Sequence, residues 1–397
     1  MSRPFEGLRV LDFTRFFAGP FGTYQFALLG ADVIKIEPLG GEDNRRAQLS
    51  QEWADRDMAP AFAAVNANKR CMALDLRKPE AREIVLRLVK EADVVWENFR
   101  PGVMARFGLD YETLREINPQ LIYCAVSGFG QSGPASGDAA FDGKIQAMSG
   151  IMSITGNPDD GPMRAGFAVC DLVGGITAAF AVSSALYQRK NTGKGQFVDV
   201  AMLDSTLAVL AQHVTEYTTT GHVQRQYGNL SVTRKVTADR FRCGNGYIVL
   251  AVLLEKQFVK LMTALGRADV LKDPRFSDWP TRTRNAAALR EMIERAMRDG
   301  DPESWVARLT EADVPCSTIF GLDEIINHPQ VAHRGLLQEV ESPFGPMTFV
   351  GPGFRLAHGS GRVEQAPAQV GEHTDEILAA HGFADEQITR WREAHVI

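Results

Sequence analysis

Apolar and polar positions along the first half of this chain alternate between two rhythms. Leu8-Arg9-Val10-Leu11-Asp12-Phe13 is a short apolar run that leads into Thr14-Arg15-Phe16-Phe17-Ala18-Gly19-Pro20. Residues 21–29 then carry helical spacing, stopped by Gly30, and Val33-Ile34-Lys35-Ile36-Glu37 reads as a second strand. Strand, helix, strand in this order predicts a parallel βαβ unit. The rhythm repeats with a strand over 71–76, a helix over 79–92 with Pro79 in its first turn, a strand over 94–97, a helix over 111–118 and a strand over 121–127. Such a series specifies an open parallel sheet of the doubly wound, Rossmann-like kind, with ligands at the carboxyl ends of its strands.

The later pattern is less regular. A strand is expected over 196–202 and a helix over 204–220, and the polar, glycine-containing stretch 221–235 reads as a linker. Beyond it come a strand over 247–252, helices over 255–265, 281–298 and 302–312, a hairpin around Pro343-Phe344-Gly345, and two tail helices over 374–381 and 384–395. The expected organisation is a large α/β domain over 1–205, a linker helix and loop over 206–230, a smaller α/β domain over 231–328, and a linker with C-terminal segment over 329–397. For 397 residues, two domains is the first expectation.

One stretch stands out. Gly166-Phe167-Ala168-Val169-Cys170-Asp171-Leu172-Val173-Gly174-Gly175 opens an apolar run that continues through Leu186, with Asp171 its one carboxylate. The run is short for a membrane span and reads as a buried core helix. Apolar surroundings penalise an ionised acid, so Asp171 needs a reason to be there. It reads either as a helix cap or as a carboxylate nucleophile. In the second case the N–H groups of the neighbouring glycines are expected to stabilise an oxyanion.

Composition narrows the chemistry. The chain is 45% hydrophobic and 23% charged, as in soluble globular proteins. A net charge of −6 argues against nucleic-acid binding by phosphate neutralisation. Cys71, Cys124, Cys170, Cys243 and Cys316 are scattered without a C-x-x-C pair and read as reduced core thiols, not a zinc site or disulfide frame. Met1-Ser2-Arg3-Pro4 leads directly into the first strand, so a cytoplasmic location is expected, with no membrane partner. Gly128-Phe129-Gly130-Gln131-Ser132-Gly133 matches the dinucleotide fingerprint after a strand. Pro134-Ala135-Ser136-Gly137 follows where a helix should open, so a loop is the better reading. H-E-x-x-H, Walker A and G-x-S-x-G are all absent, and no metal is expected.

Several motifs in a fixed order then point to a family. They include Gly7 to Phe13 with Ala18-Gly19-Pro20, Leu29 to Glu37, Asn68-Lys69-Arg70, Asp93 with Glu97-Asn98-Phe99-Arg100-Pro101-Gly102, Gln146 to Gly150, Thr192 to Gln196, and Gly371-Glu372-His373-Thr374. Over essentially its whole length the chain resembles the class III coenzyme A transferases, the formyl-CoA transferase or CaiB/BaiF family. The resemblance implies an interlocked homodimer whose C-terminal segment returns to the large domain. It makes Asp171 the catalytic aspartate, forming a mixed anhydride with the acyl group of acyl-CoA and then an aspartyl-CoA thioester. It places coenzyme A on Phe17, Ala18, Leu74, Arg77, Asn98, Phe99 and Arg106, with the two arginines suited to phosphate.

The chain departs from the formyl-CoA enzymes at Arg15-Phe16-Phe17 and at Pro38, where they carry an arginine that Arg45 or Arg46 is expected to replace. Their glycine-rich lid has no counterpart in residues 228–235. The related α-methylacyl-CoA racemases use a histidine where Phe141 stands here, and a phenyl ring cannot accept a proton. Transfer is therefore favoured over racemisation and over a non-catalytic CoA-binding role. Arg15, Arg234 and Lys235 are candidate cations for a dicarboxylate acyl group such as succinate, mesaconate or itaconate.

Overall fold

The computed structural model describes residues 2–47 and 49–397. β1 (Arg9–Asp12), α1 (Ala18–Leu28), β2 (Asp32–Glu37), β3 (Arg70–Ala73), α2 (Pro79–Val89), β4 (Val94–Glu97), α3 (Tyr111–Ile117) and β5 (Ile122–Ser127) follow one another as the alternating pattern predicts. α4 (Asp142–Met148), α5 (Val169–Thr192) and β6 (Gln196–Ala201) complete the sheet region, followed by α6 (Met202–Val209) and α7 (Ala211–Thr220). The six strands are parallel in the order β3-β2-β1-β4-β5-β6, the doubly wound order.

Alternation along each strand sends side chains to two cores. Leu11, Ile34, Val95 and Tyr123 meet α2 and α3 on one face; Val10, Val33, Trp96 and Cys124 meet α1 and α5 on the other. Both faces are buried, so the strands read as continuous apolar runs rather than alternating ones.

α1 and α5 lie backbone to backbone. A Cβ on Gly175 would stand 2.5 Å from the carbonyl oxygen of Ala18, and one on Gly22 would stand 2.9 Å from the carbonyl oxygen of Gly175. No side chain fits that gap; forcing one in would cost roughly 1–3 kcal/mol of overpacking. α5 ends at Gly193, whose φ of +70° turns the chain and lets its N–H reach the carbonyl of Arg189. By length and composition α5 is apolar enough to span a membrane. Here Cys170, Gly174, Ala178 and Val182 are buried in the core.

The chain divides into two compact units, Met1–Ile151 with Arg164–Val223 and Gln330–Ile397, and Met152–Met163 with Gln224–Pro329. Thus 152–163, expected within 1–205, groups with the second unit. The second unit contains β7 (Ala238–Cys243), β8 (Gly246–Ala251), α8 (Glu255–Ala264), α9 (Trp279–Arg284), α10 (Ala286–Ala296), α11 (Pro302–Glu311) and β9 (Cys316–Thr318). Two expected long helices are broken, at Leu210 and Asn285. β7 has no counterpart in the sequence reading: it buries Ala238, Phe241 and Cys243 while presenting Arg240 and Arg242 outward, so its charged face hid the strand.

In the first unit the C-terminal segment continues with β10 (Leu337–Val340), β11 (Met347–Val350), α12 (Thr374–Ala380) and α13 (Asp385–Glu393). It returns to the sheet edge: His373 N–H donates to Cys71, Ala73 N–H to Thr374 Oγ1, and Asp75 N–H to Val396.

Candidate active site

In a doubly wound sheet the crevice opens where neighbouring strands send their chains to opposite faces. Here that happens between β1, followed by α1, and β4, followed by a segment on the other face. Asn98 ties the two loops together. Its Oδ1 accepts from Arg15 N–H at 2.8 Å and its Nδ2 donates to the Arg15 carbonyl at 2.8 Å.

Two cavities lie at this point. The first, of about 200 Å³, is lined by Phe16, Phe17, Ala18, Asn98, Phe99, Ser127, Phe141 and Asp171. The second, of about 540 Å³, is lined by Arg15, Pro38, Gly40, Leu74, Arg77, Phe99 and Val103. Phe99 belongs to both, and Arg15 lies over its ring at 5.2 Å. Phe99 N–H donates to Glu97 at 2.7 Å, and burial pushes the Glu97 carboxyl up to about 8.

Of the expected site residues, Phe17, Ala18, Asn98, Phe99 and Asp171 are brought together in the first cavity, and Leu74, Arg77 and Phe99 in the second. Arg77 is highly exposed and forks onto Asp75 through Nε and Nη2, at 2.8 and 2.9 Å. Arg106 is exposed on the one-turn helix Val103–Arg106 and lines neither cavity. Arg45 does not replace the arginine missing at Pro38. It is fully buried, bound to Glu37 at 2.7 Å and to the carbonyl of Ala368. Arg46 stays near the second cavity and donates to the Gly40 carbonyl. Arg234 and Lys235 lie in the second unit, where Lys235 bonds the Leu253 carbonyl and sits over Trp279.

Asp171 does not cap its helix. α5 starts at Val169 with Ala168 as N-cap residue, which places Asp171 within the first turn. The capping carboxylate comes from α4: Asp142 Oδ1 accepts from Cys170 N–H at 2.8 Å and from Asp171 N–H at 3.4 Å. Gln146 donates to the other oxygen at 2.6 Å. The expected glycine oxyanion donors also fall away. Gly174 and Gly175 are inside α5, their N–H groups held by the helix, and their work is close packing. Among the described residues, the N–H of Ala18, at the open end of α1, has no hydrogen-bond acceptor.

Burial and the neighbouring Asp142 carboxylate raise Asp171 from the ordinary aspartate value to about 7. Sequence reasoning missed Asp142, which is distant along the chain and whose only local signal is Gln146 one turn on. Asp142→Asn keeps an oxygen for the helix end and removes the like charge. The rising limb of kcat/KM against pH should then move down by about 0.5–1 pH unit, measured by initial rates, while burial still holds it above the ordinary aspartate range.

Beneath the first loop lie three carboxylates and three cations, Asp12, Glu37, Glu42, Lys35, Arg45 and Lys69, all buried. Lys69 Nζ reaches Asp12 at 3.0 Å, Thr23 and Asn66 at 2.8 Å, and the Pro20 carbonyl at 3.1 Å. Lys35 binds Glu42 at 2.8 Å and the Thr14 carbonyl at 2.8 Å. Burial would raise Asp12, but Lys69, Lys35 and the hydroxyls of Thr14 and Thr23 outweigh it and hold the carboxyl below its usual range. No cluster of three or more His, Cys, Asp or Glu suited to a metal occurs among the described residues.

A partly buried carboxylate beside a crevice at the switch point of a doubly wound sheet stands where folds of this class take their ligands. Residues 5–374 match the model of CoA-transferase family III, and the chain belongs to that family. It is 37% identical to the succinate–glutarate CoA-transferase of Agrobacterium fabrum, covering 95% of each chain. It is 39% identical to the acetyl-CoA:oxalate CoA-transferase of Acetobacter aceti, covering 84% of this chain and 85% of the other. The crystal structure of a CaiB/BaiF family protein from Brucella suis superposes with a TM-score of 0.85 at 35% identity, covering 96% of this chain and all of that one.

Proposed function

We propose that this CoA-transferase moves coenzyme A from an acyl-CoA to a dicarboxylate through covalent intermediates on Asp171. The observation that carries the reading is the Asp171 carboxylate, partly stripped of water, in a cavity that shares Phe99 with a second, larger one. The Asp171 carboxylate attacks the thioester carbonyl, the C–S bond breaks, and a mixed anhydride and CoA thiolate form. The thiolate attacks the Asp171 carbonyl, releasing the donor acid and leaving an aspartyl-CoA thioester. The acceptor carboxylate attacks that carbonyl and expels the thiolate again. The thiolate then attacks the acceptor-derived carbonyl, giving the new acyl-CoA and free Asp171.

On this mechanism the N–H of Ala18, at the open end of α1 in the same cavity as Asp171, meets the charge developing on the carbonyl oxygen. In this reading the pantetheine arm passes Phe99, flanked by Phe17 and Asn98. The nucleotide end lies by Leu74, with Arg77 and Arg106 meeting phosphate. Arg77 would exchange Asp75 for that phosphate. The dicarboxylate class rests on the relatives, which act on succinate, glutarate and oxalate, and on Arg15 beside Phe99. In a homodimer, the second copy would cover Ile176, Phe180 and Tyr187, exposed on α5.

The test is incubation with succinyl-CoA and hydroxylamine, then peptide mass spectrometry, with an acceptor screen and light scattering on the same preparation. The expected results are a hydroxamate mass on Asp171, transfer to C2–C5 dicarboxylates, and twice the chain mass. An unmodified Asp171 would remove the covalent route, and activity confined to monocarboxylates would remove the acceptor class.

A further inference from the structure

Phe16 has a φ of +62°, a left-handed conformation that a bulky aromatic residue seldom adopts. Its surroundings enforce it. Phe16 N–H donates to Glu42 Oε2 at 2.8 Å, and Glu42 is buried against Lys35 at 2.8 Å. The preceding Arg15 is held on both sides by Asn98, and the Phe16 carbonyl accepts from Asn44 at 3.3 Å. A buried ion pair is poor value for stability alone, and fixing one geometry is a use it can serve. The geometry fixed here sends the Phe16 ring outward, 41% exposed, onto a still more exposed partner, Phe141, at 64%. The rings meet edge to face, with centroids 5.6 Å apart and planes at 89°. Both line the cavity of Asp171, and Phe141 immediately precedes the Asp142 that caps the helix of Asp171.

Backbone strain that the surroundings over-determine points to a function. We propose that Phe16 and Phe141 form an aromatic gate that keeps water from the Asp171-bound intermediates, and that Glu42 with Lys35 is the positioning pair that sets Phe16 in it. The proposal rests on the covalent reading of Asp171. The reaction suppressed is hydrolysis of the aspartyl-CoA thioester. Water oxygen bonds to the Asp171 carbonyl carbon, the C–S bond breaks, one water proton goes to the CoA thiolate and the other to solvent, and Asp171 returns as carboxylate. An apolar wall at this position excludes water but leaves the backbone donors of the cavity in place.

The experiment compares acceptor-independent thiol release from succinyl-CoA with transfer to glutarate. It uses wild type, Phe16→Ala, Phe16→Gly, Phe16→Leu, Phe141→Ala, Glu42→Gln and Asp171→Ala. In Phe16→Ala and Phe141→Ala the ratio of hydrolysis to transfer should rise about tenfold or more, and Phe16→Leu should recover most of it. Phe16→Gly relieves the left-handed conformation, so it should keep the fold and still leak. Glu42→Gln retains an acceptor for Phe16 N–H but loses the ion pair, and should leak to a smaller extent. A ratio unchanged in both alanine variants, whether rates stay constant or fall together, overturns the gate. Thiol release retained in Asp171→Ala overturns the covalent reading instead, so the two failures are distinguishable.

Discussion

Asp171→Asn is expected to lose CoA transfer by at least about 10⁴-fold while gaining stability at alkaline pH. The first effect follows from removing the atom that forms the bond: an amide does not attack a thioester, and the other carboxylate lining the first cavity, Asp138, is paired with Lys144 at 2.9 Å. The second follows from linkage. The folded protein raises Asp171 from 3.8 to about 7 through burial and the Asp142 charge. It therefore holds the proton more tightly than the unfolded chain does. This contribution to stability is fully present below the unfolded value of 3.8 and is lost as pH rises through about 7. At pH 8 the wild type carries an ionised carboxylate in an unfavourable place, at a cost of roughly 2–4 kcal/mol that the asparagine avoids. Thermal unfolding at pH 8 and pH 4 checks this, with the variant ahead at the first and level at the second. Transfer undiminished in the variant would falsify the assignment of the nucleophile.

Lys69→Met should have the largest effect on stability. Methionine fills much of the same volume, but Asp12 then keeps only the Thr14 N–H, the Thr14 and Thr23 hydroxyls and the more distant Lys35, and Thr23 and Asn66 lose a donor. Breaking one partner out of a buried ion pair costs about 3–5 kcal/mol, because the remaining charge stays desolvated. The gap should be widest at neutral pH. In the wild type, the lowered Asp12 carboxyl contributes stability above its unfolded value of 3.8 that is lost as pH falls through the folded one, while acid relieves the variant of its stranded charge. Urea unfolding of both proteins at pH 7.5 and at pH 4 measures the difference. Equal midpoints at pH 7.5 would show that the network adds nothing to stability.

The parallel sheet was legible because its strands, buried on both faces, leave short apolar runs separated by helical spacing. Asp171 was legible as a single carboxylate in an apolar stretch. Its true setting was not. The cap at its helix end comes from Asp142, and no local pattern announces a bond between helices so far apart in sequence. Lys35, Glu37 and Glu42 are buried, yet in sequence they look like the polar side of an edge strand and a surface turn. Only the pairing of β2 with β1 and β3 puts them underneath a loop. Gly174 and Gly175 were conspicuous, but their N–H groups are held inside α5; Gly175 instead admits the α1 backbone at Ala18, and Gly174 sits against Met202.

The seat between Gly22 and Gly175 also bears on how this scaffold can be retargeted. It joins the helix that begins at Ala18 to the helix that carries Asp171, so the two residues, which line one cavity, are held by a single joint. Ser136, Asp138 and Ala139 line the same cavity outside this joint, whereas Ala140 packs closely on Gly128 and Phe141 meets Phe16. A different acyl length can be accommodated by exchanging 136–139 while this joint and the Phe16–Phe141 pair stay untouched, which makes that short segment the natural place to graft a new acceptor preference onto the same chemistry.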